Sequence, residues 1–364
     1  LGTKVLTSEV DDPTLPDLGY QALVNSFDGL TDTMLLLRFD PSQKKLTTLS
    51  IPRDTQVQIQ GYGTVKINAA NSYGGPALSA QTVSELLDGV QIDRFVRVNV
   101  QGVEKLIDAL GGVKVYVPKD MKYQDDSQHL YINLKQGEHL LNGSQAQAFL
   151  RFRHDQYGDI GRVQRQQMLM RSIIEQSLRP QTILRIPEIL AIVQSHIDTN
   201  VSTDEIVALA GFAGQLKKSD MQMLLLPGNF NGDGREGVSY WLPSQTKIQE
   251  MVAKYFGQGE TEIQDINPSL LRIAIQDSTG DKEAARTMAR YLGEAGFTNV
   301  HIGGTWSEPL QETKILAQGG DDGGAAMLRA TLGIGEVLVE STGVLNSDVT
   351  IQLGQDWLEK QKQI

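Results

Sequence analysis

The chain has 364 residues, of which 40% are hydrophobic and 21% charged. That composition supports a sizeable core in two or three domains and excludes global disorder. A net charge of -11 argues against general nucleic-acid binding, which runs on counterion release by Lys and Arg. The absence of cysteine excludes disulfide scaffolds, thiolate metal sites, iron–sulfur clusters and cysteine nucleophiles.

Strands and helices alternate along the first part. Residues 33–39 (TMLLLRF) and 45–51 (KLTTLSI) read as strands joined by a turn at Asp40-Pro41. The first is a continuous apolar run, the pattern of a strand buried on both faces. Helices are expected at 67–73 and 76–87 with a break at Gly74-Gly75, then a strand at 95–100, a helix at 103–110 ended by Gly111-Gly112, and a strand at 113–117. A short helix follows at 144–149 and a long one at 159–178, with Asp159 as its cap. Helices at 187–195 and 203–216 and a strand at 221–226 close this part. The stretch 257–268 (GQGETEIQDINP) is polar, carries Gly and Pro, and reads as a linker between a domain of residues 1–256 and one of 269–364. The second domain repeats the style on a small scale, with strands at 271–276, 300–302, 314–318, 337–340 and 349–353 and helices at 282–295 and 325–332. The fold class is α/β: a sheet flanked by helices, plus a small C-terminal α/β domain.

No run of eighteen apolar residues is present, so no spanning helix is expected, and no signal peptide opens the chain. The first residue is Leu1 rather than Met, which leads us to expect a longer product with any membrane anchor upstream. Common catalytic motifs are missing: no G-x-S-x-G elbow, no H-E-x-x-H, no Walker A loop, and five scattered histidines without metal-ligand spacing. Asn231-Gly-Asp-Gly reads as an ordinary turn, because the later bidentate Glu of a calcium loop is missing.

What stands out is arginine. Arg151, Arg153, Arg162 and Arg165 lie within fifteen residues, and Arg162 and Gln166 share a helical face at i, i+4. A guanidinium fork suits phosphate oxygens, and the start of a helix favours an anion. The alternative is a solvated face with intrahelical ion pairs. Arg53 and Asp54 follow a strand end in SIPRDT, a place where α/β sheets bind ligands, or else they form a local ion pair. Asp32, just before the apolar strand, is either a Mg²⁺ ligand completed by substrate phosphates or a turn residue. Lys66 stands at the start of an expected helix. One carboxylate and many cations form the toolkit of phosphoryl transfer.

The segments DTMLLLRFDP (32–41), LSIPRDTQV (49–57), KINAANSYGG (66–75), DALGGVKVYVP (108–118), LNGSQAQAFLRFRHD (141–155) and GDIGRVQRQQ (158–167) resemble, in this order, the LytR-CpsA-Psr family. LLPGNFNGDGREGVSYW (225–241) resembles that family's closing segment, and residues 269–356 resemble a C-terminal domain often attached to it. The resemblance implies a central mixed sheet with a hydrophobic tunnel for a prenyl tail. It also implies Mg²⁺-dependent phosphotransfer of a glycopolymer from an undecaprenyl-pyrophosphate carrier to peptidoglycan or another wall acceptor, with polyprenyl pyrophosphate hydrolysis in some members. The expected place of work is the extracytoplasmic face of a bacterial membrane. Carried over by motif, Asp32 is the metal-associated carboxylate. Arg53, Lys66, Arg151, Arg153, Arg162 and Gln166 line the pyrophosphate site, with Asp54 in support; Asp32, Arg53 and Arg162 form the catalytic set. The apolar stretches 35–37, 95–100, 103–110 and 168–174 are candidates for the tunnel or for ordinary core.

Two positions depart from the family pattern. Lys4 stands where a second acidic residue is usual, and Leu30 where an arginine is favoured. A lysine beside the phosphates either replaces part of the metal's charge or weakens metal binding. Two other readings are therefore carried: a non-catalytic binder of polyprenyl pyrophosphate or anionic glycan, and a transcriptional attenuator, against which the acidic charge and the lack of a helix-turn-helix signal weigh.

Overall fold

The computed structural model describes residues 2–4, 27–125, 130–152, 158–217, 220–232, 239–257 and 267–362. Strand β1 (Gly2–Lys4) is followed by β2 (Leu30–Asp40), β3 (Lys45–Ile51), β4 (Gln56–Ile59), β5 (Gly63–Lys66), helix α1 (Ala69–Leu86), β6 (Val96–Asn99) and α2 (Val100–Ala109). Next come β7 (Val113–Val117), β8 (Met121–Asp125), β9 (Leu130–Leu134), β10 (Gly137–Leu141), α3 (Gly143–Arg151) and the long α4 (Gly158–Ser177). The first domain ends with α5 (Pro180–Ile183), α6 (Ile186–Val193), β11 (Ile197–Thr199), α7 (Thr203–Ala213), β12 (Met221–Leu225), β13 (Gly228–Phe230), β14 (Trp241–Pro243) and α8 (Gln245–Phe256).

The central sheet has the order β11-β6-β1-β2-β3-β12. It is mixed: β2 runs antiparallel to β1 and β3, whereas β1–β6 and β3–β12 are parallel. One face carries a core in which Met34, Leu49 and Ile51 pack with Ile67, Leu87, Trp241, Ile248 and Val252. A second core lies among α2, α3, α4, α6 and the β7–β10 hairpins, built on Ile107, Val115, Phe149 and Leu169. It contains no residue of the central sheet among those described.

That separation corrects the expectation for β2. Its even-numbered Met34 and Leu36 pack in the first core, while Leu35 and Leu37 belong to neither cluster, and Leu37 is 42% exposed. An unbroken apolar run thus marks a strand with one packed face and one open one. Two further boundaries differ. β2 begins at Leu30, so Asp32 lies inside a strand and not in a turn before it. Lys66 ends β5, and the helix starts only at Ala69, because the backbone N–H of Ile67 donates to Thr55 O (2.8 Å) and continues the extended pairing. The long helix opens at Gly158, so Asp159 is inside it. The expected break in α1 is present: Gly74 and Gly75 are non-helical, and Gly75 has φ +62°, a conformation costly for residues with a Cβ.

The C-terminal domain holds β15 (Ile273–Asp277), α9 (Ala284–Glu294), β16 (Val300–Thr305), β17 (Lys314–Ala317), α10 (Asp322–Leu332), β18 (Glu336–Leu338), β19 (Val349–Leu353) and α11 (Gln355–Gln361). Its five-stranded sheet has the order β16-β15-β19-β17-β18, with only the β17–β19 pair antiparallel. It has its own core around Ile273, Met288, Phe297, Leu328, Ile351 and Trp357. Most of the expected linker, residues 258–266, lies outside the described residues.

Candidate functional site

β3 stops at Ile51 because Pro52 has no N–H for the ladder. The chain then folds into a tight turn closed by Thr55 N–H to Pro52 O (3.0 Å), with the Thr55 hydroxyl on the same carbonyl (2.6 Å). This turn projects Arg53 and Asp54. The β4–β5 hairpin returns the chain to it: Asn68 N–H donates to Arg53 O (3.3 Å), and Lys66 lands beside Asp54.

The resulting constellation is tightly paired. Arg53 Nη1 donates to Asp32 Oδ1 at 2.5 Å. Lys66 Nζ donates to Asp54 Oδ1 at 2.7 Å, and Arg53 Nε stands 3.6 Å from Asp54 Oδ2, an ion pair too long to be a hydrogen bond. The Asp54 side chain is 6% exposed, against 22% for Arg53, 30% for Lys66 and 32% for Asp32. Asp54 is therefore the buried anchor and Asp32 the carboxylate nearest solvent. From α4, Gln166 Nε2 donates to Asp32 O (3.2 Å). Lys66 also lies 5.7 Å from the centre of the Tyr240 ring, a residue tied in because Trp241 N–H donates to Asp54 O.

Beside this network is a small cleft lined by Asp32, Thr33, Ser50, Gln166, Met170 and Leu225, among others. On the cleft wall, Gln167 Oε1 is buried with no hydrogen-bond partner among the described residues. Buried polar groups are rarely left unpaired, so this oxygen marks a place where a polar group can be received.

Of the eight residues expected from the sequence, the fold brings Asp32, Arg53, Asp54, Lys66 and Gln166 together. Arg151 ends α3, which stays helical to that residue instead of turning extended. Arg162 lies in the first turns of α4, four residues before Gln166. Its side chain, and Arg153 entirely, fall outside the described residues. The neighbouring Arg165 is 4% exposed and donates to Phe152 O (2.5 Å). Gln167, Leu225 and Tyr240 were not expected as site residues. Met170 lies in the 168–174 stretch named as a tunnel or core candidate, and is the i+4 partner of Gln166.

Metal binding can be tested on the donor set. Among the described residues no group of three or more His, Asp, Glu or Cys could hold a metal by itself. One carboxylate at a cleft, Asp32, fits instead the mode in which Mg²⁺ keeps few protein ligands and the substrate phosphates complete its shell. The two departures from the family pattern prove to be neighbours: Lys4 and Leu30 face each other in the β1–β2 ladder, two residues from Asp32.

A mixed six-stranded sheet with helices, carrying a paired arginine–aspartate cluster where β3 ends, defines the first domain as an α/β fold. The chain matches the LytR_cpsA_psr family over residues 19–256, and it belongs to that family. Residues 270–357 match a second family, described as LytR cell envelope-related transcriptional attenuator. Regulatory protein MsrR of Staphylococcus aureus (strain COL) is 34% identical over 199 residues, 54% of this chain and 59% of that protein. The polyisoprenyl-teichoic acid–peptidoglycan teichoic acid transferase TagV of Bacillus subtilis (strain 168) is 32% identical over 230 residues, 61% of this chain and 58% of that protein. The matches thus span under two thirds of the length of these relatives. Among solved structures, B. subtilis TagV superposes with a TM-score of 0.55 at 28% identity, covering 68% of this chain and 95% of that one. TagT bound to LIIa-WTA gives 0.50 at 30% identity, covering 62% and 84%. No helix among the described residues is long and apolar enough to cross a membrane.

Proposed function

We propose that this chain transfers a glycopolymer phosphate from a polyprenyl-pyrophosphate carrier to a cell-wall acceptor such as peptidoglycan, on the extracytoplasmic face of the membrane. The observation that carries this reading is the pairing of the Arg53 guanidinium with Asp32, a carboxylate on the wall of the cleft. The relatives named as teichoic acid–peptidoglycan transferases support the same substrate class.

The charge balance explains how such a site works. Arg53 and Lys66 are offset by Asp32 and Asp54, so these four side chains add no net positive charge. A diphosphate therefore needs more cations. Arg162, with Arg151 and Arg153, supplies them in this reading, and Asp32 would hold a Mg²⁺ that, when bound, would supply Lewis-acid charge stabilisation. Arg53 exchanges Asp32 for a phosphate oxygen, while Asp54 keeps its hold on Lys66 and Arg53. Gln166 fixes the backbone at Asp32. The acceptor hydroxyl oxygen bonds to the phosphorus next to the glycan, the bridging P–O bond breaks, polyprenyl phosphate leaves, and the hydroxyl proton goes to solvent. The charge developing on the leaving group meets preorganised guanidinium and ammonium groups, which stabilise it more than they do the ground state. With water as acceptor the same step is pyrophosphatase activity.

The test is transfer of a labelled lipid-linked glycan to peptidoglycan oligomers by the purified chain with Mg²⁺. A phosphodiester-linked product is expected, lost in Arg53→Ala. A second reading, binding without turnover, is favoured by the lysine facing a leucine beside Asp32. It predicts a tightly retained lipid in organic extracts and no product at any Mg²⁺ concentration.

A further inference from the structure

The C-terminal domain packs on the first domain where β12 leaves the central sheet's edge open. Met223 N–H donates to Val339 O (2.9 Å) and Leu225 N–H to Gln318 O (3.0 Å), so the C-terminal domain satisfies the outer side of the strand whose Leu225 lines the cleft. Leu345 is 5% exposed and sits in the first domain's core, with Val339 packed against it. Tyr255 Oη donates to Gly320 O (3.1 Å), and Lys247–Asp348 and Lys254–Asp322 ion pairs flank the contact.

The same segment grips α4. Gln164 Nε2 donates to Gly343 O (3.3 Å), and Arg171 Nη1 donates to Glu340 Oε2 (2.6 Å). The side chains of Arg171 and Glu340 are 18% and 10% exposed. Gln164 and Arg171 are seven residues apart, hence nearly in line on the helix. At about 100° per residue the cleft-lining Gln167, Met170 and Gln166 lie about 50°, 110° and 150° round the helix from that line. A desolvated ion pair is a costly way to add stability but an effective way to fix register. Here it fixes the rotation and height of the helix that presents Gln166 to Asp32.

We infer that the C-terminal domain is a working part of the catalytic unit, and that Glu340 is a positioning residue acting through Arg171 on α4. The inference rests on the cleft being the diphosphate site. It gives the C-terminal domain a role independent of any wall ligand: undocked, α4 loses two anchors and β12 loses two hydrogen bonds, and the cleft loses its shape.

The experiment uses the whole chain, with geranylgeranyl diphosphate as probe. Wild type is compared with Glu340→Gln, with the swapped pair Arg171→Glu/Glu340→Arg made together with Glu175→Gln, because Arg171 also pairs with Glu175 (3.1 Å), and with Glu283→Gln, which breaks an exposed pair with Arg286 away from α4. Diphosphate affinity, phosphate release and hydrogen exchange in residues 158–177 are measured. Glu340→Gln is expected to speed exchange in that helix and to lower kcat/KM about 10- to 100-fold, the scale of an ångström-sized misplacement. The swap restores most of the loss, and Glu283→Gln matches wild type. Affinity and turnover within twofold of wild type in Glu340→Gln, with or without faster exchange, overturn the inference. So does a swap that folds but restores nothing. A wild-type chain that neither binds nor turns over the probe removes the site reading itself, an outcome visible before any variant is compared.

Discussion

Replacing Arg53 by lysine separates charge from geometry. The guanidinium reaches both carboxylates, Asp32 through Nη1 (2.5 Å) and Asp54 across 3.6 Å from Nε, and a single ammonium cannot hold both. The substitution keeps one positive charge and forfeits one charge-assisted contact, together with the planar fork a diphosphate needs. A hydrogen bond to a charged group contributes about 1.5–3 kcal/mol. At 1.36 kcal/mol per tenfold, kcat/KM should fall about 10- to 150-fold. Arg53→Ala removes the charge as well and should cost about 10³–10⁵, the range for arginines in other phosphoryl-transfer sites. Both side chains of the Arg53–Asp32 pair are partly solvated, so the melting temperature should move by only a few degrees in either variant. The assay is phosphate release from geranylgeranyl diphosphate with a parallel thermal melt. Lysine and alanine variants of equal activity would refute the argument from the fork. Wild-type rates in both would remove Arg53 from the site.

Asp54→Asn keeps the shape of the buried anchor and removes its charge, leaving Lys66 and Arg53 facing each other across a neutral amide. A loss of about 1–3 kcal/mol, or roughly 2–10 °C in melting temperature, is expected with weaker diphosphate binding, and an unchanged melt would contradict the anchor role. Asp348 gives a pH prediction. Burial, the largest influence, raises its carboxyl, but hydrogen bonds from Arg272 and Lys247 outweigh it and hold the group below its ordinary value. A depressed carboxyl contributes stability that is present above the unfolded value near pH ~4 and lost as pH falls through the folded one. Acid should therefore loosen the contact between the domains, seen as faster proteolysis between them, and Lys247→Met should start that loosening at higher pH; equal pH profiles would count against the pair.

Local chemistry made much of this site legible. Pro52 ending a strand before Arg53-Asp54 placed the turn, and the i, i+4 spacing from Arg162 put Gln166 on a shared helix face. Gly74-Gly75 placed the kink in α1. What stayed hidden depends on distant partners. Lys66 reads as helical because KINAA favours helix, yet pairing with Gln56 holds it in a strand. The β8–β9 hairpin is fixed by its cross-strand pairing, whereas α8 did carry a legible stop in Gly257, at φ +71°. The contact of Glu340 with Arg171 spans 169 residues and leaves no mark on spacing. The openness of one face of β2 is likewise set by where the second core lies.

That open face yields the last prediction. Leu35 and Leu37 lie outside both cores, and Phe39 on the same side meets Phe212 of α7 edge-on, with ring centres 5.9 Å apart. α7 is rich in apolar residues, yet none is buried; Val207 is 64% exposed, and Val96 on β6 is 43% exposed. Apolar surface left open on two facing elements is expected where an apolar ligand completes the packing. The stretches 103–110 and 168–174 instead supply core, through Ile107, Leu110, Leu169 and Ile173. A prenyl tail in this groove gains about 0.8 kcal/mol per fully buried CH₂, so half-burial of a five-carbon isoprene adds about 2 kcal/mol. Affinity should then rise about thirtyfold from geranyl to farnesyl diphosphate and again to geranylgeranyl diphosphate, measured by calorimetry below the micellar range. Leu37→Asp should flatten that slope and leave inorganic pyrophosphate binding unchanged, because it touches the groove and not the arginines. Equal affinity for the three chain lengths would mean that the diphosphate binds alone and the groove serves something else.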